Sequence, residues 1–225
     1  MQKFSTPTPV TAVLDVPAGH IRFIAADRTD TTVEVLPANP SHAGDVKAAD
    51  RITVAYAEGD GILRIEAAPA KNRALGSSGS VEVTVQLPAG SRIEAKAADA
   101  EFRGVGRLGD VVIETARGSV KLDESADSRL TLQAGDVTVG RLGGAAAIST
   151  QKGDLHITEA VRGAVELRTG YGNIAVGAAR GVSASLDAET QHGRVHNALR
   201  NTEGATAPLH IRATTAYGDI TAAGL

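Results

Sequence analysis

The sequence has no cysteine and no tryptophan, and aromatic residues make up only 3% of its 225 residues. Without cysteine, a disulfide framework and thiol chemistry are excluded. A broad sandwich or α/β core usually draws its bulk from Phe, Tyr and Trp. The interior must therefore be filled by Val, Ile, Leu and Ala, which suits a narrow β-coil whose layers each hold a few medium-sized side chains.

Other absences restrict the function classes. The net charge is −3 and the basic residues are dispersed, so the basic face typical of nucleic-acid binding is missing. No segment approaches the ~18 consecutive apolar residues of a membrane span. The N-terminal segment also lacks an apolar run of signal-peptide length. We therefore expect no nucleic-acid partner, no membrane span and a cytoplasmic location, with the cell surface less favoured.

Short runs of alternating apolar and polar residues dominate the first half, and this alternation predicts strands. These runs are Ile21–Ile24, Thr32–Val35, Ile52–Tyr56, Ile62–Ile65 and Val81–Leu87. Helical periodicity is scarce; only Ser41 to Asp50 could hold a helical turn, and this segment could equally be a loop. The Gly/Ser-rich segment Ala70 to Gly79 is predicted to be a mobile loop. Val16-Pro-Ala-Gly19 and Leu87-Pro-Ala-Gly90 resemble each other, and each predicts a turn between two strands.

The second half repeats a step of glycine, a polar residue and an aliphatic residue. The glycines are 17, 18, 19, 21 and 25 residues apart, a lengthening period that predicts longer loops at the later corners. The steps begin at Gly118-Ser119-Val120, Gly135-Asp136-Val137, Gly153-Asp154-Leu155, Gly172-Asn173-Ile174, Gly193-Arg194-Val195 and Gly218-Asp219-Ile220.

A period near 18 allows two or three short strands plus corners, which is one coil of a β-solenoid. Because successive units resemble each other, a parallel coil is favoured over a meander of antiparallel hairpins, and right-handed winding is expected. The sequence thus predicts an all-β fold, with residues 1–95 as an irregular β-rich capping region and 96–225 as a parallel β-solenoid. Both parts most simply form one continuous domain.

Several repeat units also carry a family resemblance. They are IETARGSVKLDES, LQAGDVTV, STQKGDLHI, RTGYGNIAV and TAYGDIT. They resemble those of DUF4097 proteins, a bacterial family of β-strand repeats described as adhesin-like. The N-terminal TPTPVTAVLDVPAGHIRFIAADRTDTTVEVLPANP and the late TQHGRVHNAL resemble its actinobacterial members. The resemblance covers essentially the whole chain and implies a β-solenoid, and it supplies no catalytic residues to transfer.

Two metal sites can be considered from the residues. The acids Asp136, Asp154 and Asp219 would form a ladder along one solenoid edge, and stacked carboxylates can bind Ca²⁺. The simpler interpretation is that polar residues after glycine satisfy backbone groups at each corner. His192 and His196, with His210 nearby, are spaced too far apart on a strand to share one zinc ion. We expect neither a metal nor a cofactor.

A carbohydrate-cleaving site could be nominated from Asp187 with Glu189, or from Glu159 with Glu166. Acidic residues of this kind occur on the exterior of any solenoid, however. Tyr171 and Tyr217 each directly precede an equivalent glycine, so we expect them to form a stacked ladder and not a binding site. We therefore expect a non-enzymatic scaffold or adhesin-like interaction protein without catalytic residues. The alternative is self-assembly through an exposed C-terminal coil. The irregular corners between His192 and Ala207 are the first place to look for a binding site.

Overall fold

Strands cover most of the chain in the computed structural model, which describes residues 1–68 and 79–225. Two compact units are distinguished, Met1–Ala116 and Arg117–Leu225. The sequence-based division at residue 95 falls within a strand of the first unit, and the prediction for Ala70 to Gly79 lies almost wholly outside the described residues. Within the described ranges, no helix is long and apolar enough to cross a membrane.

The elements of the first unit are β1 (Gln2–Ser5), β2 (Thr11–Ala26), β3 (Asp30–Pro37), α1 (Ala43–Ala49), β4 (Ile52–Ala57), β5 (Ile62–Ala67), β6 (Val81–Pro88), β7 (Arg92–Arg107) and β8 (Val111–Arg117). Those of the second are β9 (Val120–Ser125), β10 (Ser128–Ala134), β11 (Val137–Leu142), β12 (Ala146–Lys152), β13 (Leu155–Ala160), β14 (Gly163–Tyr171), β15 (Ile174–Ala178), β16 (Ala184–His192), β17 (Val195–Ala198), a 3₁₀ turn (Gly204–Thr206), β18 (Leu209–Tyr217) and β19 (Ile220–Gly224).

The first unit is organised around the long strand β2. This strand runs parallel to β7 along one edge. Along its other edge it pairs in parallel with β5 over its first part and with β6 over its second. Strands β4 and β3 continue the two branches in antiparallel sense, and β1 pairs antiparallel with β3. The strands predicted from alternation are confirmed. The segment Ser41 to Asp50, for which a helical turn and a loop were equally possible, contains α1.

The predicted turn at Val16 to Gly19 is wrong. Strand β2 continues through this segment, and Gly19 pairs with Ala100 of β7. Gly90, in contrast, lies in a turn. A Cβ on Gly19 would lie only 2.1 Å from the carbonyl oxygen of Val81. Glycine is therefore required here because β6 approaches the backbone closely, a tertiary contact that the local sequence does not reveal.

Two buried or half-buried aspartates tie loops of the first unit together. Asp45, in α1, accepts hydrogen bonds from the backbone N–H groups of Asn39 and Ser80 and contacts Nδ1 of His42. Asp30 binds Arg28 through two hydrogen bonds of 3.0 Å and lies 3.2 Å from the ammonium of Lys3. These contacts, with that to Arg28 the strongest, lower the pKa of Asp30 from 3.8 to about 2.

We expect this carboxylate to make the stability of the first unit depend on acid pH. Because the pKa of Asp30 is depressed in the folded state, its contribution is complete above pH 4 and is lost as the pH falls towards 2. The substitution Asp30→Asn should therefore lower the melting temperature at pH 5 and have progressively less effect towards pH 2. Thermal melting followed by circular dichroism tests this, with Asp60→Asn, at an exposed turn, as the control. An Asp30→Asn effect of the same size at pH 5 and pH 2 would contradict it.

The second unit is a parallel β-solenoid, which confirms the predicted fold class. One parallel ladder has the spatial order β10, β12, β14, β18, β16. The other has the order β9, β11, β13, β15, β19, β17. All of these pairs are parallel, so the antiparallel meander is excluded for this unit. Equivalent aliphatic residues stack inside it, each 1% exposed: Val120, Val137, Leu155, Ile174 and Ile220.

The order of the last two coils differs from the chain order. The C-terminal coil, β18 with β19, lies between β14/β15 and β16/β17, and it pairs on both sides. The prediction that the C-terminal coil forms the exposed end is therefore wrong. Apart from Thr215, the inward residues of β18 and β19 are apolar, and all of them are buried, which suits a coil with neighbours on both sides. In β17, polar Asn197 occupies the position of an inward aliphatic residue, and this strand is exposed throughout.

Candidate functional site: the stacked corner of the second unit

Glycines form a column at one corner of the solenoid, in the spatial order Gly118, Gly135, Gly153, Gly172, Gly218 and Gly193. A Cβ on Gly135 would lie 1.6 Å from the carbonyl oxygen of Gly118. At the four later positions the corresponding distances are between 1.9 and 2.1 Å. Glycine is therefore needed at these five positions because the backbones of adjacent coils touch at this corner.

The polar residues that follow the last five of these glycines link successive coils. At each link, the side-chain Oδ1 of one residue accepts a hydrogen bond from the backbone N–H of the equivalent residue in the neighbouring coil. The four N···O distances lie between 2.7 and 2.9 Å. The linked residues, in order, are Asp136, Asp154, Asn173, Asp219 and Arg194. These side chains thus satisfy backbone groups of the adjacent coil.

A threonine ladder lies just inside the corner, and the sequence interpretation missed it. The hydroxyl of Thr169 donates to the carbonyl oxygen of Gly153 at 2.9 Å, and that of Thr215 donates to Gly172 at 3.0 Å. Thr190 makes the same bond to Gly218. The available signal was a threonine three residues before a corner glycine, which recurs at Thr115, Thr150, Thr169, Thr190 and Thr215.

A row of exposed aromatic rings follows the corner on its outer side. Tyr171 and Tyr217 stack with a centroid distance of 4.9 Å and an interplanar angle of 2°. His192 stacks on the other face of Tyr217 at 4.6 Å and 15°. The two tyrosines are 59% and 46% exposed. The predicted tyrosine ladder is confirmed, and His192 extends it because it also directly precedes a corner glycine.

The groups nominated for metal binding are not arranged as ligands of a single ion. The acids of the corner use Oδ1 to accept backbone N–H groups, which competes with cation binding. His192 lies in the ring row, His196 lies opposite Thr221, and His210 forms a 2.7 Å hydrogen bond with Ser185. Within residues 1–68 and 79–225, no group of three or more His, Cys, Asp or Glu residues is placed to hold a metal ion.

The carboxylates nominated for catalysis lie on the outer faces of the strands, mostly beside arginines. Glu159 pairs with Arg141, and Glu166 lies 2.6 Å from Arg168. Asp187 lies 3.5 Å from Arg212. Glu189 has no cationic partner among the described residues. The nominated pairs are therefore parts of surface ion-pair rows and do not converge on a common groove.

The end of the stack is formed by β16 and β17. Val195 occupies the ladder position of the buried aliphatic residues but is 46% exposed. Arg194 links this coil to the neighbouring coil of β18 and β19. Its backbone N–H and its guanidinium donate hydrogen bonds to the carboxylate of Asp219 at 2.9 and 3.1 Å. The same two contacts, led by the backbone N–H, hold the pKa of Asp219 below its ordinary value. Part of the segment between His192 and Ala207, singled out from the sequence, thus forms the exposed terminal coil.

Comparison with solved structures finds similar chains at low sequence identity. A candidate adhesin from Bacteroides fragilis is 13% identical and has a TM-score of 0.46, with 98% of this chain and 95% of that chain covered. One from Parabacteroides distasonis is 14% identical with a TM-score of 0.42, covering 100% and 95%. A candidate cell adhesion protein from Clostridium sporogenes is 11% identical with a TM-score of 0.40, covering 100% and 98%.

No curated protein sequence matches the chain. The family model described as Toastrack DUF4097, in contrast, matches residues 13–224, which is nearly the whole chain. This match agrees with the repeat units, the N-terminal segment and the parallel solenoid described above. The chain therefore belongs to the Toastrack DUF4097 family.

Proposed function

We propose that this protein is a non-enzymatic, adhesin-like interaction module that binds a partner protein through the stacked corner of its second unit. The observation that carries the proposal is the exposed ring row of Tyr171, Tyr217 and His192 on a regular hydrogen-bonded scaffold. Tyrosine is enriched at the energetic centres of protein interfaces because it offers a large apolar surface and a polar hydroxyl at low entropic cost. Because stacking already holds these exposed rings in fixed positions, binding costs them little further side-chain conformational entropy.

Non-enzymatic binding is also supported by the uses that the polar groups already have. Carboxylates on the outer strands pair with arginines, and the corner acids bind backbone N–H groups. General acid and base catalysis needs a carboxyl group within hydrogen-bond reach of the reacting atom in a shared pocket. Two roles are open to such a binding module. One is an adhesin-like role, as in the descriptions of the similar solved structures, and the other is a scaffold role inside the cell.

Site-specific cross-linking in the native cell tests the proposal. A photoreactive amino acid at Lys152, which lies beside Tyr171 in the ladder, should give a discrete protein adduct. The same probe at Arg129, an exposed residue at the far end of β10, is the matched control. The combined substitutions Tyr171→Ser and Tyr217→Ser should abolish the adduct at Lys152. Equal adducts at both positions, or an adduct unaffected by the tyrosine substitutions, would contradict binding at the ring row.

Cell fractionation distinguishes the two forms of the proposal. An adhesin-like role requires the protein in the surface or extracellular fraction, whereas the expectation from the sequence is a cytoplasmic location. Recovery only with cytoplasmic markers would remove the adhesin-like form and leave the scaffold form.

A further inference from the structure

The terminal coil leaves one edge of a parallel sheet open. In the described part of the chain, β16 forms its ladder with β18 on one side and with no strand on the other. The backbone N–H of Ala184 points away from β18, because it donates to the carbonyl oxygen of Arg200. Alternate residues of a strand direct their N–H groups to the same side. The N–H groups of Leu186, Ala188 and Thr190 therefore face the open edge.

A charge on the outer face of β16 continues an alternation of sign that begins on β14 and β18. Glu166, Arg212 and Asp187 lie opposite one another on three successive strands, so their signs alternate. Glu189, two residues further along β16, lies on the same face opposite neutral Thr214. A further strand that continued the pattern would place a basic residue beside Asp187, and a second basic residue would compensate Glu189. The open edge is thus complementary to a cationic strand.

The same two acids disfavour a second copy of this chain at the edge. In an antiparallel pair of β16 strands centred on Ala188, Asp187 would face Glu189 of the other copy twice. Like charges directly opposite each other destabilise a sheet, as expected for an edge protected against self-association.

The ring row supplies a third feature of the site. His192 covers one face of Tyr217, and its own outer face ends the row at the open edge. An added parallel strand would place one residue against this face, at the position that tyrosine occupies in β14 and β18. An aromatic ring is therefore the favoured group at that position.

We propose that the open edge of β16 is a docking site for an extended cationic segment of a partner protein, which adds as a parallel β-strand. The segment carries basic residues opposite Asp187 and Glu189 and an aromatic residue beside His192. Main-chain hydrogen bonds to the edge provide affinity, and the charges and ring provide selectivity, as in other cases of strand addition. This inference rests on the proposed function, since it names the chemistry of the partner.

A nine-residue probe peptide follows from the register of β18. The sequence Leu-Thr-Ile-Lys-Ala-Lys-Thr-Ala-Tyr, with blocked termini, places its lysines opposite Asp187 and Glu189 and its tyrosine beside His192. The control peptide has glutamate in place of both lysines. Amide hydrogen exchange of the full chain is measured by NMR with each peptide. The lysine peptide should slow exchange at Leu186, Ala188 and Thr190, while Ala184, already bonded to Arg200, stays unchanged and serves as the internal control.

Charge reversal provides the second arm of the test. The double substitution Asp187→Lys with Glu189→Lys should weaken binding of the lysine peptide by about tenfold and strengthen binding of the glutamate peptide. Both positions are exposed, so the fold should be retained. Unchanged exchange at the three amides, or equal binding of both peptides, would overturn the inference. So would protection of these amides that rises with protein concentration alone, since this would indicate self-pairing.

The test is independent of the cross-linking experiment. If a native partner is captured at Lys152 but the three amides are not protected by the peptide, the docking site is wrong and the proposed function stands. If the peptide binds the edge and no native partner is captured at the ring row, the proposed function fails instead.

Discussion

Replacing Gly153 with alanine should destabilise the second unit by about 3 kcal/mol. The added Cβ would lie 2.1 Å from the carbonyl oxygen of Gly135 and 2.5 Å from its carbonyl carbon. Both are backbone atoms, so relief requires the two coils to separate at the corner. The backbone of Gly153 also has a φ of +147°, which alanine adopts only with strain. Urea unfolding followed by circular dichroism measures the loss.

A glycine without neighbours separates the two causes. Gly181 has a φ of +75°, and a Cβ there would meet no atom within 4 Å. The substitution Gly181→Ala should therefore cost about 1 kcal/mol from backbone strain alone. If Gly153→Ala costs no more than Gly181→Ala, the close approach of adjacent coils at the corner is not a determinant of stability.

The largest contrast between equivalent positions should be that between Ile220 and Val195. Both follow the polar residue of a corner, and they are neighbours in the ladder. Ile220 is 1% exposed and Val195 is 46% exposed. We expect Ile220→Ala to cost about 3 kcal/mol, as for other truncations of buried aliphatic residues. Val195→Ala should cost less than about 1 kcal/mol, because half of the side chain already contacts water.

This contrast tests the order of the coils directly. If the coils were stacked in chain order, Val195 would be internal and Ile220 would be at the end, so the two costs would be reversed. Ile174, which is buried and lies one coil further in, is the control, and Ile174→Ala should be costly in either order. Equal or reversed costs at Ile220 and Val195, measured by urea unfolding, would contradict the structure described here.

Much of the candidate site was predictable from the sequence because its causes are local and repeat along the chain. The corner glycines, the polar residues after them and the aliphatic residues that follow recur at a nearly constant period. Tyr171 and Tyr217 share the same offset from a glycine, so their stacking follows once the coils are placed in register. The threonines three residues before the glycines carried an equally regular signal, and the same offset would have placed His192 in the ring row.

Other features depend on contacts between residues distant in sequence. The bonds from the corner acids to the next coil could not be distinguished from bonds within a turn, because both use the same residue types after glycine. At Val16 to Gly19, the Pro-Ala-Gly sequence favours a turn, yet pairing with β6 and β7 keeps the strand extended. Local preference and tertiary pairing point in opposite directions there, and the larger number of inter-strand hydrogen bonds prevails.

The sequence by itself determined that the chain folds into short strands, that the second half repeats as coils, and that a glycine corner runs along them. Only the tertiary structure decided the position of each coil. Strand β18 pairs equally well with β14 and with β16 because all three share one inward pattern, so the local sequence does not specify which neighbours it takes. Apart from Thr215, the inward faces of β18 and β19 are apolar, which favours the interior, while Asn197 and the acids of β16 favour the end. The ladder order therefore reflects burial, which is a property of the whole stack and not of any single repeat.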